Sequence, residues 1–255
     1  MFEIGFTSVT FRKKTIEEVC AIAYENNIKN IEWGGDIHLP PADEKAIKRI
    51  NESCKKYGLK SVSYGSYYKL GCNDFVLFEK IVDTANKIGA KTIRIWQGEK
   101  SSKDVTDFEL QNMIEETKIF ADTAIKKDIT IAFEFHKNTN NDNGQSSIEF
   151  IKSVNKPNVK TYWQPFSTND DIKNLKTVIP YLACVHIFEW NEKGKRYSLK
   201  HGRQKWLDFL CIIKSENIKP VLIMEFVKHN SKKQFAKDVK ILKKLIEQDS
   251  LQCQR

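Results

Sequence analysis

TIAFEFH, residues 130–136, decides how this chain is read. Thr130, Ile131, Ala132, Phe133 and Phe135 make a short apolar, β-prone run. Within it, Glu134 and His136 stand two residues apart. A strand sends residues i and i+2 to one face, so a carboxylate and an imidazole share the end of an apolar strand. Two costly polar groups placed there point to a site rather than to packing.

Working outward, runs of the same kind recur at 4–10, 30–33, 61–64, 92–96, 130–135, 160–164, 183–188 and 220–225. Their spacing of roughly thirty residues is that of one strand–helix unit. Between them the apolar period becomes helical. Ile16, Val19, Cys20 and Ala23 follow Thr15, with Glu18 placed to close a capping box. Leu110, Met113, Ile114, Thr117, Phe120, Ala121 and Ala124 form a longer stripe, and Phe75, Phe78, Ile81, Val82 and Ala85 another. No Pro/Ser-rich linker interrupts the series. Eight βα units without a break predict a single (β/α)8 TIM barrel over 1–255. The competing doubly wound sheet lacks a glycine-rich phosphate turn in TSVTFRKKT, residues 7–15.

Composition narrows the function classes. The chain has 255 residues, 40% hydrophobic and 29% charged, which is enough to bury a full core. The formal charge of +9 raises nucleic acid as a partner, but the lysines are scattered along helical stretches as a solvated face, so nucleic acid is disfavoured. Six cysteines (Cys20, Cys54, Cys72, Cys184, Cys211 and Cys253) contain no C-x-x-C pair, and no disulfide scaffold is expected. No apolar run spans a bilayer, and the start MFEIGFTSVTFRKK is not a signal peptide. The expectation is a reduced, cytoplasmic protein with no membrane partner.

In a barrel of this kind, chemistry sits at the C-terminal ends of the strands. Around that rim the sequence supplies Glu32 with Asp36 and His38, then Arg94, Trp96 and Gln97. Glu134 and His136, Gln164, His186 and Glu189, and finally Glu225 complete it. Buried carboxylates need a cation, and two of them converging with an imidazole suit a divalent metal. A lysine or arginine lodged between the acids is the competing solution. Trp33, Trp96, Trp163 and Trp190 stand at or beyond strand ends, either packing the rim or stacking on a sugar. His201 and Arg203, in KHGRQKW, are a candidate contact to phosphate or carboxylate, or a solvated loop.

IEWGGDIH, FEFH, CVHIFEW and MEFVKHNSKKQF together resemble the xylose isomerase-like TIM barrels, in particular the sugar phosphate isomerase/epimerase group. The resemblance runs nearly end to end. It implies metal ligands at Glu134, Gln164, His186 and Glu225, with Gln164 standing where the family usually has Asp. It implies one divalent ion (Mn2+, Mg2+, Co2+ or Zn2+), a sugar or sugar phosphate substrate, and proton transfer through an enediolate beside a carbonyl. Glu134 and Glu225 are then the acid/base pair, and Glu32, His38, Arg94, Trp96, His136, Glu189 and Arg203 the substrate-binding set. Relatives often pair, so a homodimer is open. Two other readings compete: a non-catalytic sugar-binding barrel with a weakened metal site, and, less favoured, a zinc AP-endonuclease-like enzyme, for which the histidines are too few.

Overall fold

The computed structural model describes residues 2–252, with side chains through 248. Eight parallel strands close into a barrel in sequence order. They are β1 (Ile4–Thr7), β2 (Asn30–Gly34), β3 (Lys60–Lys69), β4 (Thr92–Trp96), β5 (Thr130–Glu134), β6 (Val159–Trp163), β7 (Leu182–Ile187) and β8 (Val221–Met224). The helices between and after them are α1 (Ile16–Glu25), α2 (Glu44–Tyr57), α3 (Phe75–Lys87), α4 (Asp107–Ile125), α5 (Gly144–Val154), α6 (Asp171–Val178), α7 (Arg203–Ser215) and α8 (Lys232–Gln252). The capping box at Thr15 and Glu18 forms as the sequence predicts, and Thr106 with Glu109 opens α4 in the same way.

Strand alternation divides the core in two. Phe6, Ile31, Trp33, Ile95, Phe133, Trp163, Ile187 and Met224 pack with helix residues such as Val19, Ile50, Phe120 and Leu210. Each such side chain contributes roughly 1.5–3 kcal/mol by leaving water. The alternate residues of the same strands turn into the barrel. There Ala132, Tyr162, Cys184 and Ile223 form a small separate plug. One step further along, the same inward rows deliver Glu32, Arg94, Glu134, Gln164, His186 and Glu225, all nearly or wholly buried.

Two strands depart from the sequence reading. β1 stops at Thr7, and Ser8–Phe11 coil into a 3-10 turn. The polar residues of that turn are latches: Ser8 Oγ accepts from Gly34 N at 2.9 Å, and Thr10 Oγ1 from Phe226 N at 3.1 Å. β3 runs five residues past Tyr64, its pairing with β4 shifting between Gly65 and Lys69. Cys20, Cys54, Cys72 and Cys184 are free thiols, whereas Cys211 is disulfide-bonded, which corrects the expectation of uniformly reduced cysteines. No helix among the described residues is long and apolar enough to cross a membrane.

Candidate active site

His186 stands at the centre of the mouth. Its Nδ1 lies 3.0 Å from Gln164 Oε1, 3.6 Å from Glu225 Oε2 and 3.7 Å from Glu134 Oε1. Its Nε2 faces Glu32 Oε1 at 3.5 Å. Glu134, Gln164 and Glu225, from the ends of β5, β6 and β8, thus each approach the one ring nitrogen of His186 on β7. Donors of a single ion held at about 2.0–2.2 Å lie roughly 3–3.5 Å apart, close to the spacing seen.

The opposite wall differs from the expectation. A divalent ion was to neutralise the buried acids, but Arg94 does much of that. Its guanidinium, buried to 2% exposure, bonds Glu134 Oε2 through one terminal nitrogen, and its Nε lies 3.5 Å from Glu32 Oε1. Trp96 Nε1 donates to the same Glu134 oxygen at 2.5 Å. Ser63 Oγ donates to Glu32 Oε2 at 3.1 Å. Burial opposes ionisation of Glu32, yet the Arg94 charge and then His186 outweigh it and hold its carboxyl below the ordinary range. Gly65 makes room for this arrangement: a Cβ there would stand 2.5 Å from an Arg94 terminal nitrogen.

The residues present still fit one divalent ion. Arg94 occupies Oε2 of Glu134 and leaves Oε1 turned to His186. Glu225 accepts no hydrogen bond through its side chain among the described residues, and His186 is the one group there within ion-pair distance of it. His186 Nε2, Glu32 Oε1 and Arg94 Nε are buried without a hydrogen-bond partner, a state that native interiors rarely leave uncompensated. Glu32 behind His186 is a carboxylate placed to orient a ligating imidazole. Among the described residues no group of three or more His, Cys, Asp or Glu side chains, Glu134, His186 and Glu225 included, is already spaced to hold a metal ion, so these side chains would have to close up around one. Two carboxylates, one of them shared with Arg94, make a low-charge donor set and a weak cation site.

The remaining expected residues divide. Trp96 and His136 belong to the mouth, their rings stacked at 4.9 Å. Strand geometry ends at Glu134, just before His136, whose Nδ1 meets Lys137 O at 2.7 Å and whose pKa is lowered by burial. His38 has both nitrogens committed, to Ser8 Oγ at 3.0 Å and Lys14 O at 2.9 Å, and is a strut beneath the rim. Arg203 points away and bonds Gln248 Oε1 at 2.7 Å. Glu189 pairs with Lys205 Nζ at 3.0 Å against Gly202, where a Cβ would overlap its carboxylate. It serves the start of α7 rather than the donor cluster. Of the tryptophans, Trp33 and Trp163 are core, while Trp190 lines a pocket over Gln164.

Sequence reasoning missed Tyr67 and Arg196. Tyr67 sits at φ +60°, uncommon for an aromatic residue, with Arg94 over its ring at 5.3 Å and Trp96 at 5.8 Å. The irregularity in β3 that puts it there carries no sequence signal except the aromatic run SYGSYY. Arg196, on a hairpin that sequence reads only as a polar loop, packs against Trp190 and Phe226.

Comparison with known proteins matches this geometry. Residues 20–245 match the model described as xylose isomerase-like TIM barrel. A 3-dehydroshikimate dehydratase of Bacillus anthracis is 24% identical over 195 residues, covering 70% of this chain and 69% of that protein. Among solved structures, the probable 3-DHS dehydratase AsbF of Bacillus anthracis superposes with TM-score 0.80 at 18% identity, over 95% of this chain and 99% of that one. D-allulose 3-epimerase from Methylomonas sp. follows at TM-score 0.74 and 16% identity, over 97% and 98%.

Proposed function

Since the chain belongs to the xylose isomerase-like TIM barrel family, we propose that it removes a proton from the carbon beside a carbonyl in a small hydroxylated substrate, with Glu225 as the base, and that the reaction ends in loss of water. The observation that carries this reading is the inequality of the two carboxylates. Glu134 is bound through Oε2 by a guanidinium and an indole N–H, which weakens it as a base. Glu225 lies within ion-pair distance of His186 alone among the described residues.

Epimerisation needs proton exchange on two faces, hence two competent groups. One base suffices for elimination. Glu225 takes the α-proton, and the released electron pair forms the enolate. That enolate closes a carbon–carbon double bond as the β carbon–oxygen bond breaks. The proton held by Glu225 then passes to the departing hydroxide, giving water. Arg94, with Trp96 and Glu32, fixes Glu134, and His186 is oriented by Glu32 and Gln164. A divalent ion bound by Glu134, Gln164, His186 and Glu225 supplies Lewis-acid polarisation of the substrate carbonyl.

The 3-dehydroshikimate dehydratase relative supports the elimination branch. The second reading is isomerisation or epimerisation of a sugar or sugar phosphate with Glu134 returning the proton, supported by the likeness to an allulose epimerase. Incubation of the Mn2+-supplemented protein in D2O with 3-dehydroshikimate and, separately, D-allulose and D-fructose tests the choice by NMR and mass. The expected result is a product lighter by one water from the first and no deuterated isomer from the sugars. Deuterium in an epimer or a ketose–aldose isomer, with no dehydration, overturns the elimination reading in favour of the second.

A further inference from the structure

Two of the free thiols lie against each other, away from the barrel mouth. Cys20 stands on α1 and Cys54 on α2, and these two helices are clamped together at two levels. Arg49 of α2 donates to both carboxylate oxygens of Glu17 on α1, at 2.9 and 2.8 Å. Further along, the rings of Tyr24 and Tyr57 meet with centres 5.4 Å apart. The cysteines fall between the clamps, Cys20 three residues past Glu17 and Cys54 three before Tyr57.

The pair is not symmetric. Hydrogen bonding between the two thiols raises the pKa of Cys20 and lowers that of Cys54. Ser61 Oγ, 3.9 Å from Cys54 Sγ, adds to the lowering. Cys54 is therefore the member that ionises, and the thiolate is the nucleophilic form of cysteine.

Access follows the same division. Cys20 is wholly buried, whereas Cys54 is 8% exposed and lines a cavity of about 520 Å³. Lys60, Thr92 and Val221 on the wall of that cavity are the first residues of β3, β4 and β8, or immediately beside them, at the end of the barrel opposite the donor cluster. Lys55, Lys60 and Lys91 line it and no carboxylate does, although Asp128 pairs with Lys91 from outside. Cations beside a thiol stabilise its thiolate and draw in acidic reagents. A buried cysteine ordinarily serves as a small hydrophobe, and Cys20 alone would be read that way. Packing does not call for a second thiol against it on the wall of a basic cavity.

We propose that Cys54 and Cys20 form a thiol-exchange site that takes a small acidic disulfide of the glutathione type. Cys54 gives its proton to solvent, and its thiolate attacks one sulfur of that disulfide. The small S–S bond breaks, and one half leaves as a thiolate that takes up a proton. Cys20 then loses its proton and attacks the Cys54 sulfur, so that the second half departs as a thiol. Two protein thiols are oxidised, one small disulfide is reduced to two thiols, and the new bond staples α1 to α2.

Incubation of the whole protein with glutathione disulfide, followed by acid quenching, alkylation and peptide mapping by mass spectrometry, tests this. A peptide pair joined through Cys20 and Cys54 is expected, separate from the existing bond at Cys211. Cys54 should react at least about tenfold faster than the buried Cys184, since ionisation and access both favour it. Cys20→Ser should halt the reaction at a glutathione adduct on Cys54, and Cys54→Ser should leave Cys20 unmodified. Lys55→Gln combined with Lys60→Gln should slow glutathione disulfide by about threefold or more, but not the neutral 2-hydroxyethyl disulfide. Circular dichroism checks the fold of each variant, and the wild-type map decides even where a variant fails to fold. Cys54 reacting no faster than Cys184 overturns the proposal. So does an adduct on Cys54 that accumulates in the wild type without the link to Cys20, or a Cys20 that reacts as readily in Cys54→Ser. Equal slowing of both reagents in the lysine variant overturns the acidic class of the ligand.

Discussion

The two halves of the barrel mouth solve the problem of buried charge differently. From β2 to β5, Glu32 and Glu134 are bonded to or face a fully buried arginine, and a serine and a tryptophan add donors. From β6 to β8, Glu225 and the Gln164 amide both approach His186, and no lysine or arginine lies within ion-pair distance of Glu225 among the described residues. The first half carries its own cation, although Glu32 Oε1 and Arg94 Nε keep no hydrogen-bond partner. The second leaves the Glu225 carboxylate with no ion pair to lysine or arginine and so open to a proton, an ion or a substrate.

Breaking that contrast gives the largest effects. Glu225→Gln should cut turnover, and exchange of the substrate α-proton with solvent, by about 10²–10⁴-fold while stability moves by less than about 1 kcal/mol. Glu134→Gln, measured in the same exchange assay, should cost clearly less. Equal losses would erase the distinction between the two acids. Arg94→Met inverts the pattern, since it leaves Glu32 and Glu134 buried without their cation. It should destabilise the fold by roughly 3–5 kcal/mol in urea denaturation. A loss under 1 kcal/mol would mean the acids are neutralised by other means.

Gln164→Glu sharpens the comparison from the open side. It restores a charge at the donor cluster, and Mn2+ affinity measured by calorimetry should rise by about tenfold or more. Unchanged affinity would remove Gln164 from the ligand set. The smallest effect lies far from the mouth. Arg49 bonds Glu17 and holds its carboxyl down to about 2 from the usual 4.5. A lowered acid stabilises the fold above its unfolded value, so this contribution is present above pH 4.5 and fades as pH falls toward 2. Both side chains are half exposed, so Glu17→Gln should cost well under 1 kcal/mol at pH 7 and nothing near pH 2. A pH-independent loss in thermal melts would contradict this.

The barrel was legible because period-2 and period-3.6 patterns alternate eight times, and because polar residues end apolar strands. That logic placed Glu134, Gln164, His186 and Glu225 together without knowledge of the chain path. It failed where side-chain partners are non-local. Nothing near His38 in sequence shows that Lys14 O and Ser8 Oγ take both its nitrogens, nor that Arg203 turns to Gln248. Sequence reads Arg94 as a rim residue contacting substrate, because its role depends on Glu32 and Glu134, which lie 62 and 40 residues from it along the chain in no pattern that sequence displays. Arg196 escaped notice because a hairpin within a polar loop has no periodicity to announce it.

Gly65 carries no functional group, yet the guanidinium of Arg94 passes where any larger residue would put its first carbon. A methyl group added at that position would force the tip of the arginine to move between its two acids. A silent-looking glycine thus shares in setting the charge balance of the barrel mouth.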